Sequence, residues 1–234
     1  MNILITGATR GIGKAIAERL KDEHKIFAVA RNEELLKIYE NYCVCDLATI
    51  EGMQKVAGYI KENNIDILIN NAGEYLYTPA VGGFDIEKLE HITKLNLEAP
   101  LYLISQAVPY MKENQFGRIV NIGSISGVMG EAYASLYSAT KAGLIGATKA
   151  LALELAEYGI TVNTINPGWV ETELGNSSAQ DGDLSKEEIT DSIPQKRFIE
   201  PVEIADMVKY LISKEAKGVT GQSINLCAGL SVGY

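Results

Sequence analysis

Short runs of aliphatic and β-branched residues alternate along the chain with longer stretches whose apolar positions recur every three or four residues. Residues 2–6, 25–30, 42–44, 66–69, 118–122 and 161–165 follow the first pattern, with 223–226 a late, short example. Such runs, bounded by polar punctuation, predict strands. The second pattern occupies 12–22, 49–63, 85–113, 133–158 and 201–213. Within 49–63, Ile50, Met53, Val56, Ala57 and Ile60 fall on one helical face. Strands alternating with helices predict an α/β chain, a doubly wound and mainly parallel sheet with helices on both faces. No repeat and no linker interrupts 1–234, so one domain is expected. Residues 171–195 break the rhythm with Gly-Asn-Ser-Ser-Ala-Gln-Asp-Gly-Asp. A polar segment that long inside a domain predicts a lid, over about 171–200.

Composition narrows the class. The chain has 234 residues, 47% hydrophobic and 22% charged, enough to bury about 70% of its unfolded surface without a disulfide or metal. Its 21 basic and 30 acidic residues leave a net charge of −9. That balance argues against nucleic acid, which needs a basic face, and gives no polybasic handle for an anionic membrane. The three cysteines are Cys43, Cys45 and Cys227. Cys43 and Cys45 are expected on opposite faces of a strand, unable to bridge. Only His24 and His91 are present, so zinc-ligand spacing is absent and no metal site is predicted. The opening Met-Asn-Ile-Leu-Ile-Thr-Gly enters a strand pattern at once, and the apolar stretch 142–156 is broken by Lys149 and Glu154. A soluble, cytoplasmic protein is expected.

The candidate chemistry begins after the first strand, in Thr6-Gly7-Ala8-Thr9-Arg10-Gly11-Ile12-Gly13. The glycine spacing is neither G-x-G-x-x-G nor that of a P-loop. The physics is still that of a dinucleotide turn: a side-chain-free bend, then a helix N-terminus whose free N–H groups suit a pyrophosphate. Farther on come Asn70-Asn71-Ala72-Gly73 after the fourth strand, Ser124 after the fifth, and Tyr137-x-x-x-Lys141 within a helix. Tyr137 and Lys141 share a helical face. An ammonium held ~4 Å from the phenol, at an effective dielectric of ~20, would favour the phenolate by about 4 kcal/mol, roughly three pKa units.

Taken together, these motifs resemble the short-chain dehydrogenase/reductase family over nearly the whole chain, and Asn166-Pro167-Gly168-Trp169-Val170-Glu171-Thr172 is similar to the family segment after the sixth strand. The resemblance implies a single-domain Rossmann fold with seven strands, and an oxidoreductase that interconverts a ketone and a secondary alcohol. It implies that Tyr137 protonates the carbonyl oxygen as hydride arrives, that Lys141 bonds the nicotinamide ribose, that Ser124 steadies the oxygen, and that Asn96 completes a tetrad through a bound water. It assigns cofactor contacts to Gly7, Thr9, Arg10, Gly11, Ile12, Gly13, Asp46, Leu47, Asn71, Ala72, Gly73, Pro167, Gly168, Val170 and Thr172, besides Tyr137 and Lys141. At the end of the second strand, where NAD-specific relatives carry an acid, stands Ala30, followed by Arg31. Arg31 and Arg10 can clasp a 2′-phosphate by charge-assisted bonds, so NADP(H) is the expected cofactor.

The tail Gln195-Lys196-Arg197-Phe198-Ile199-Glu200-Pro201 and Val219-Thr220-Gly221-Gln222 resemble the 3-oxoacyl-[acyl-carrier-protein] reductase branch, which serves fatty acid synthesis. Two departures count against that substrate. Gln115 and Tyr158 occupy positions where those reductases carry basic residues for the acyl carrier protein, leaving Lys112 and Arg118 as the candidate patch. The closing Leu226-Cys227-Ala228-Gly229 also differs from the usual Asn-Gly-Gly. A small alcohol, sugar or polyol is the alternative substrate, and an NADP(H)-sensing module without turnover is a third reading. Small residues in 133–158 (Ala139, Ala142, Gly143, Gly146, Ala147) allow close helix approach, so a homodimer or homotetramer is expected.

Overall fold

The computed structural model describes residues 1–175 and 185–232. Seven parallel strands form one sheet: β1 (Asn2–Thr6), β2 (Lys25–Ala30), β3 (Asn41–Val44), β4 (Ile67–Asn70), β5 (Gly117–Ile122), β6 (Ile160–Pro167) and β7 (Ser223–Leu226), in the order β3-β2-β1-β4-β5-β6-β7. Side chains alternate across each strand, and the sequence uses both faces. Ile3, Ile5, Ile67 and Ile69 point to one layer, packed by Ile16 and Leu20 of α1 (Gly11–Leu20) and by Ile204 and Val208 of α9 (Pro201–Leu211). Leu4, Leu68, Ile119 and Val162 point to the other, against α3 (Ile50–Asn63), α5 (Ala99–Glu113) and α7 (Ser135–Leu155). The chain changes direction across the sheet between β1 and β4, and ligands of open α/β sheets bind at such a point, beyond the carboxyl ends of the strands.

Two expectations are corrected. Cys43 and Cys45 lie on the same side, both against the cluster of Leu4, Phe27 and Met53. Residues two apart in an extended chain share a face, and both thiols are free. The predicted continuous helix 85–113 is three pieces, α4 (Ile86–Thr93), a π-helical turn (Lys94–Glu98) and α5. Part of the polar segment 171–200 is helical. Ser185 and Glu188 form a reciprocal capping box that starts α8 (Lys186–Ser192), with Ile189 and Ile193 buried in the core. Residues 176–184 of that segment lie outside the described residues. The short α2 (Glu33–Leu36) and α6 (Ser126–Met129) were not predicted, being a single turn each. No helix among the described residues is long and apolar enough to cross a membrane.

Candidate active site

A cleft of about 730 Å³ runs along the carboxyl ends of the strands on both sides of the switch point. Its first half is made largely of backbone. Gly7 takes a left-handed φ of +69°, and its N–H donates to the Val29 carbonyl at 2.7 Å. A Cβ on Gly13 would sit 2.2 Å from the Gly7 carbonyl oxygen, so only glycine lets α1 start this close to β1. That helix has no side-chain cap and no acid in its first turn, so its N-terminal N–H groups are left to an anion. Asn71 clamps the turn, donating from Nδ2 to the carbonyls of Thr6 (2.9 Å) and Gly7 (3.1 Å), while the Thr6 hydroxyl accepts from Asn71 N and Ala72 N.

The second half holds the reactive side chains. Tyr137, Thr140, Lys141, Leu144 and Thr148 form the buried face of α7, which brings Tyr137 and Lys141 to the cleft floor. Ser124, just past β5, accepts from Ser126 N at 3.1 Å and donates to Ser126 Oγ at 3.0 Å. Lys141 Nζ donates to the Ile122 carbonyl at 2.9 Å and lies 5.7 Å from the Tyr137 ring centroid. The expected depression of the phenol is absent. Burial pushes Tyr137 up to about 12, opposed by its hydrogen bond with Ser124 and reinforced by the nearby Glu131 carboxylate. Burial also pushes Lys141 down to about 8. Desolvation dominates because both side chains are buried, which disfavours the charged form of each.

The π-helical turn carries Asn96, almost fully buried. Such turns often sit at functional sites. Its side chain is spent on the strand-end loop: Oδ1 accepts from Glu74 N at 3.0 Å and Nδ2 donates to the Glu74 carbonyl at 2.9 Å.

Of the predicted residues, Gly7, Thr9, Arg10, Gly11, Ile12, Arg31, Asp46, Leu47, Asn71, Ala72, Gly73, Ser124, Tyr137, Lys141, Pro167, Gly168, Val170 and Thr172 all line the cleft. Gly13 and Asn96 do not; both are buried behind it. Arg10 is engaged by Glu173 at 3.3 Å, an exposed pair, while Arg31 is exposed. Arg118 is not part of a surface patch. It is only 4% exposed, stacks over Phe116 at 4.5 Å, and donates to the carbonyls of Gly117 and Gly159. Lys112 remains, its ammonium 3.9 Å from the centre of the Tyr158 ring. Sequence reasoning did not single out Tyr75, Tyr77, Glu131 and Tyr133, which line the same cleft, with Tyr75 edge-on to Tyr137. No spacing announces these residues, which come from two loops, one after β4 and one between α6 and α7.

The family model described as enoyl-(acyl carrier protein) reductase matches residues 7–231. The 3-oxoacyl-[acyl-carrier-protein] reductase FabG of Rickettsia bellii is 38% identical, over 97% of this chain and 95% of the relative. An actinorhodin polyketide ketoreductase variant solved with NADPH superposes with a TM-score of 0.92 and 37% identity, over 100% of this chain and 97% of that one. YwfH, an NADPH-dependent reductase involved in bacilysin biosynthesis, gives 0.91 and 28%, over 100% and 99%. The chain belongs to the short-chain dehydrogenase/reductase family and is an oxidoreductase.

Proposed function

We propose that the protein is an NADPH-dependent reductase that interconverts a ketone and a secondary alcohol. The observation that carries this reading is the convergence of Ser124, Tyr137 and Lys141 on one cleft floor whose other end is an uncapped helix N-terminus flanked by Arg10 and Arg31. The cofactor would be held by that N-terminus and by the Asn71–Gly73 edge, with Asp46 and Leu47 at the adenine and Arg31 at the 2′-phosphate; when bound it supplies the hydride. The chain supplies the rest. Tyr137, kept protonated far above neutral pH, gives its proton to the carbonyl oxygen, and Ser124 bonds that oxygen as charge builds there. Lys141 would bond the ribose, and its ammonium lies 5.7 Å from the centre of the Tyr137 ring. A sensor without turnover has no use for this set.

The first substrate reading is a 3-oxoacyl thioester, supported by the name of the Rickettsia relative. The second is a small hydroxylated carbonyl compound, favoured by the loss of Arg118 from the surface and by a carboxylate in the substrate half. Segment 171–200 would close over the site of this single cytoplasmic domain, and copies would pair through α5 and α7, where Leu153 is 86% exposed. NADPH absorbance with carrier-bound and coenzyme A-bound 3-oxoacyl thioesters, simple ketones and sugars tests the proposal. Turnover of none of them would refute it; turnover of the thioester only on the carrier would support docking of the acyl carrier protein.

A further inference from the structure

In the substrate half one ionisable group takes no part in the chemistry described above. Glu131 lies between α6 and α7, half-buried, and lines the cleft. Ser126 Oγ donates to its Oε2 at 2.5 Å and Tyr75 Oη to its Oε1 at 3.1 Å, while Ser124 donates into the same chain through Ser126. The loop is held firmly. Glu131 N donates to Ser138 Oγ at 3.2 Å, and Tyr133 sits at a left-handed φ of 63° with its carbonyl accepting from Thr78 N at 2.5 Å. A bulky residue in that region is strained, and strain persists where the surroundings fix it.

The placement has a chemical disadvantage. A carboxylate near Tyr137 disfavours the phenolate, and its repulsion adds to the burial that already raises the phenol. It would also repel an anionic substrate. What it offers is acceptor capacity. Each carboxylate oxygen can take two hydrogen bonds, and each receives one from Ser126 or Tyr75. Around it stand aromatic faces, with Tyr77 and Tyr133 5.6 Å apart and Tyr75 edge-on to Tyr137 at 5.3 Å.

From these observations, and resting on the reductase reading, we infer that Glu131 is a specificity residue that selects neutral carbonyl compounds bearing a hydroxyl group next to the carbonyl. The substrate hydroxyl donates to the Glu131 carboxylate while the carbonyl oxygen meets Ser124 and Tyr137. A site built around such an acceptor rejects the analogue that lacks the donor, because the carboxylate is then desolvated without compensation.

Hydroxyacetone, butanone and pyruvate separate the alternatives, the first two being nearly the same size. The wild type should favour hydroxyacetone over butanone by about 10–100-fold in kcat/KM, the value of one charge-assisted bond, and should use pyruvate worst. Glu131→Ala should lose that preference mainly through KM, as expected for a contact made equally in ground and transition states, with the ratio of hydroxyacetone to butanone falling toward one. Glu131→Gln keeps an acceptor and removes the charge. It should retain part of the preference and improve on pyruvate, and it serves if the alanine variant folds poorly, which NADPH fluorescence titration would reveal. Equal losses on hydroxyacetone and butanone would overturn the inference, since Glu131 would then act only by aligning Ser124. A wild type without preference would overturn it too. If no ketone consumes NADPH, the reductase reading itself fails. The selectivity would then be read from thermal stabilisation by hydroxyacetone in wild type and its absence in Glu131→Ala, equal stabilisation refuting it.

Discussion

The two halves of the cleft are built by different means. The cofactor half is made of backbone: a glycine at φ +69°, a second glycine with no room for a Cβ, an uncapped helix end and an asparagine that clamps two carbonyls. The substrate half is made of side chains, Tyr75, Tyr77, Glu131 and Tyr133, from two loops far apart in sequence. Backbone-built sites restrict which residues can occupy which spacing. A wall of side chains asks only that some residue of suitable chemistry reach in from each loop, so one half can stay fixed while the other is free to change substrate.

The largest effect should come from the point where the halves meet. Tyr137→Phe removes the transferable proton and leaves the ring packed on Tyr75, so kcat should fall by about 10²–10⁴-fold while fluorescence titration with NADPH gives an unchanged Kd. Retention of more than a tenth of the rate would remove Tyr137 as the acid. Gly13→Ala attacks the backbone-built half alone. Its Cβ would meet the Gly7 carbonyl at 2.2 Å, so overpacking should destabilise the fold by about 1–3 kcal/mol, seen as a lower Tm, with cofactor affinity reduced. An unchanged Tm and Kd would show that the turn has slack.

That contrast also explains what could be read in the chain. All seven strands and the long helices were legible because a parallel sheet covered on both faces demands unbroken apolar strands between amphipathic helices, as at Ile3–Ile5 and 50–60. The glycine turn, Asn71–Gly73 and Tyr137/Lys141 were legible because their spacing is fixed by geometry. The π-helical turn at Asn96 was hidden inside continuous helical periodicity, and the capping box at Ser185 lay within polar composition. Arg118 looked like surface charge, since sequence does not say whether a guanidinium lies flat on Phe116 under two carbonyls. The pKa expectation failed for a similar reason: the spacing put Tyr137 and Lys141 on one face, but burial set the direction of the shift.

Cofactor choice probes the outer end of the first half. Arg31→Ala should weaken NADPH by about 10–100-fold and leave NADH nearly unchanged, one charge-assisted contact being worth about 1.5–3 kcal/mol. Ala30→Asp should go further, because a carboxylate repels the phosphate and accepts from a free 2′-hydroxyl. The readout is kcat/KM with both cofactors. A wild type that prefers NADH, or equal weakening of both, would make Arg31 a plain surface charge and leave Arg10, already paired with Glu173, as the remaining cation in the glycine turn.

The smallest expected effect is a pH dependence, and its sign separates the two buried partners on α7. Tyr137 stays protonated up to about 12, so the proton donor is not lost in the working range. Lys141, pushed down to about 8 by burial, loses its charge first. Ketone reduction should therefore be level below neutrality and fall to about half by pH 8, following one deprotonation. Lys141→Arg keeps the charge, because a guanidinium does not titrate there, and should abolish that limb even if it lowers the plateau. The same shift has a stability sign. The folded-state pKa lies below the ordinary 10.5, so the buried ammonium penalises the fold below pH 8, and the penalty is relieved as pH rises from 8 to 10.5. Urea unfolding at the two ends of that window should show this contribution rising for the wild type and missing in Lys141→Met. A reduction limb that persists unchanged in Lys141→Arg would transfer the titration to another group and place the functional charge of α7 outside this lysine.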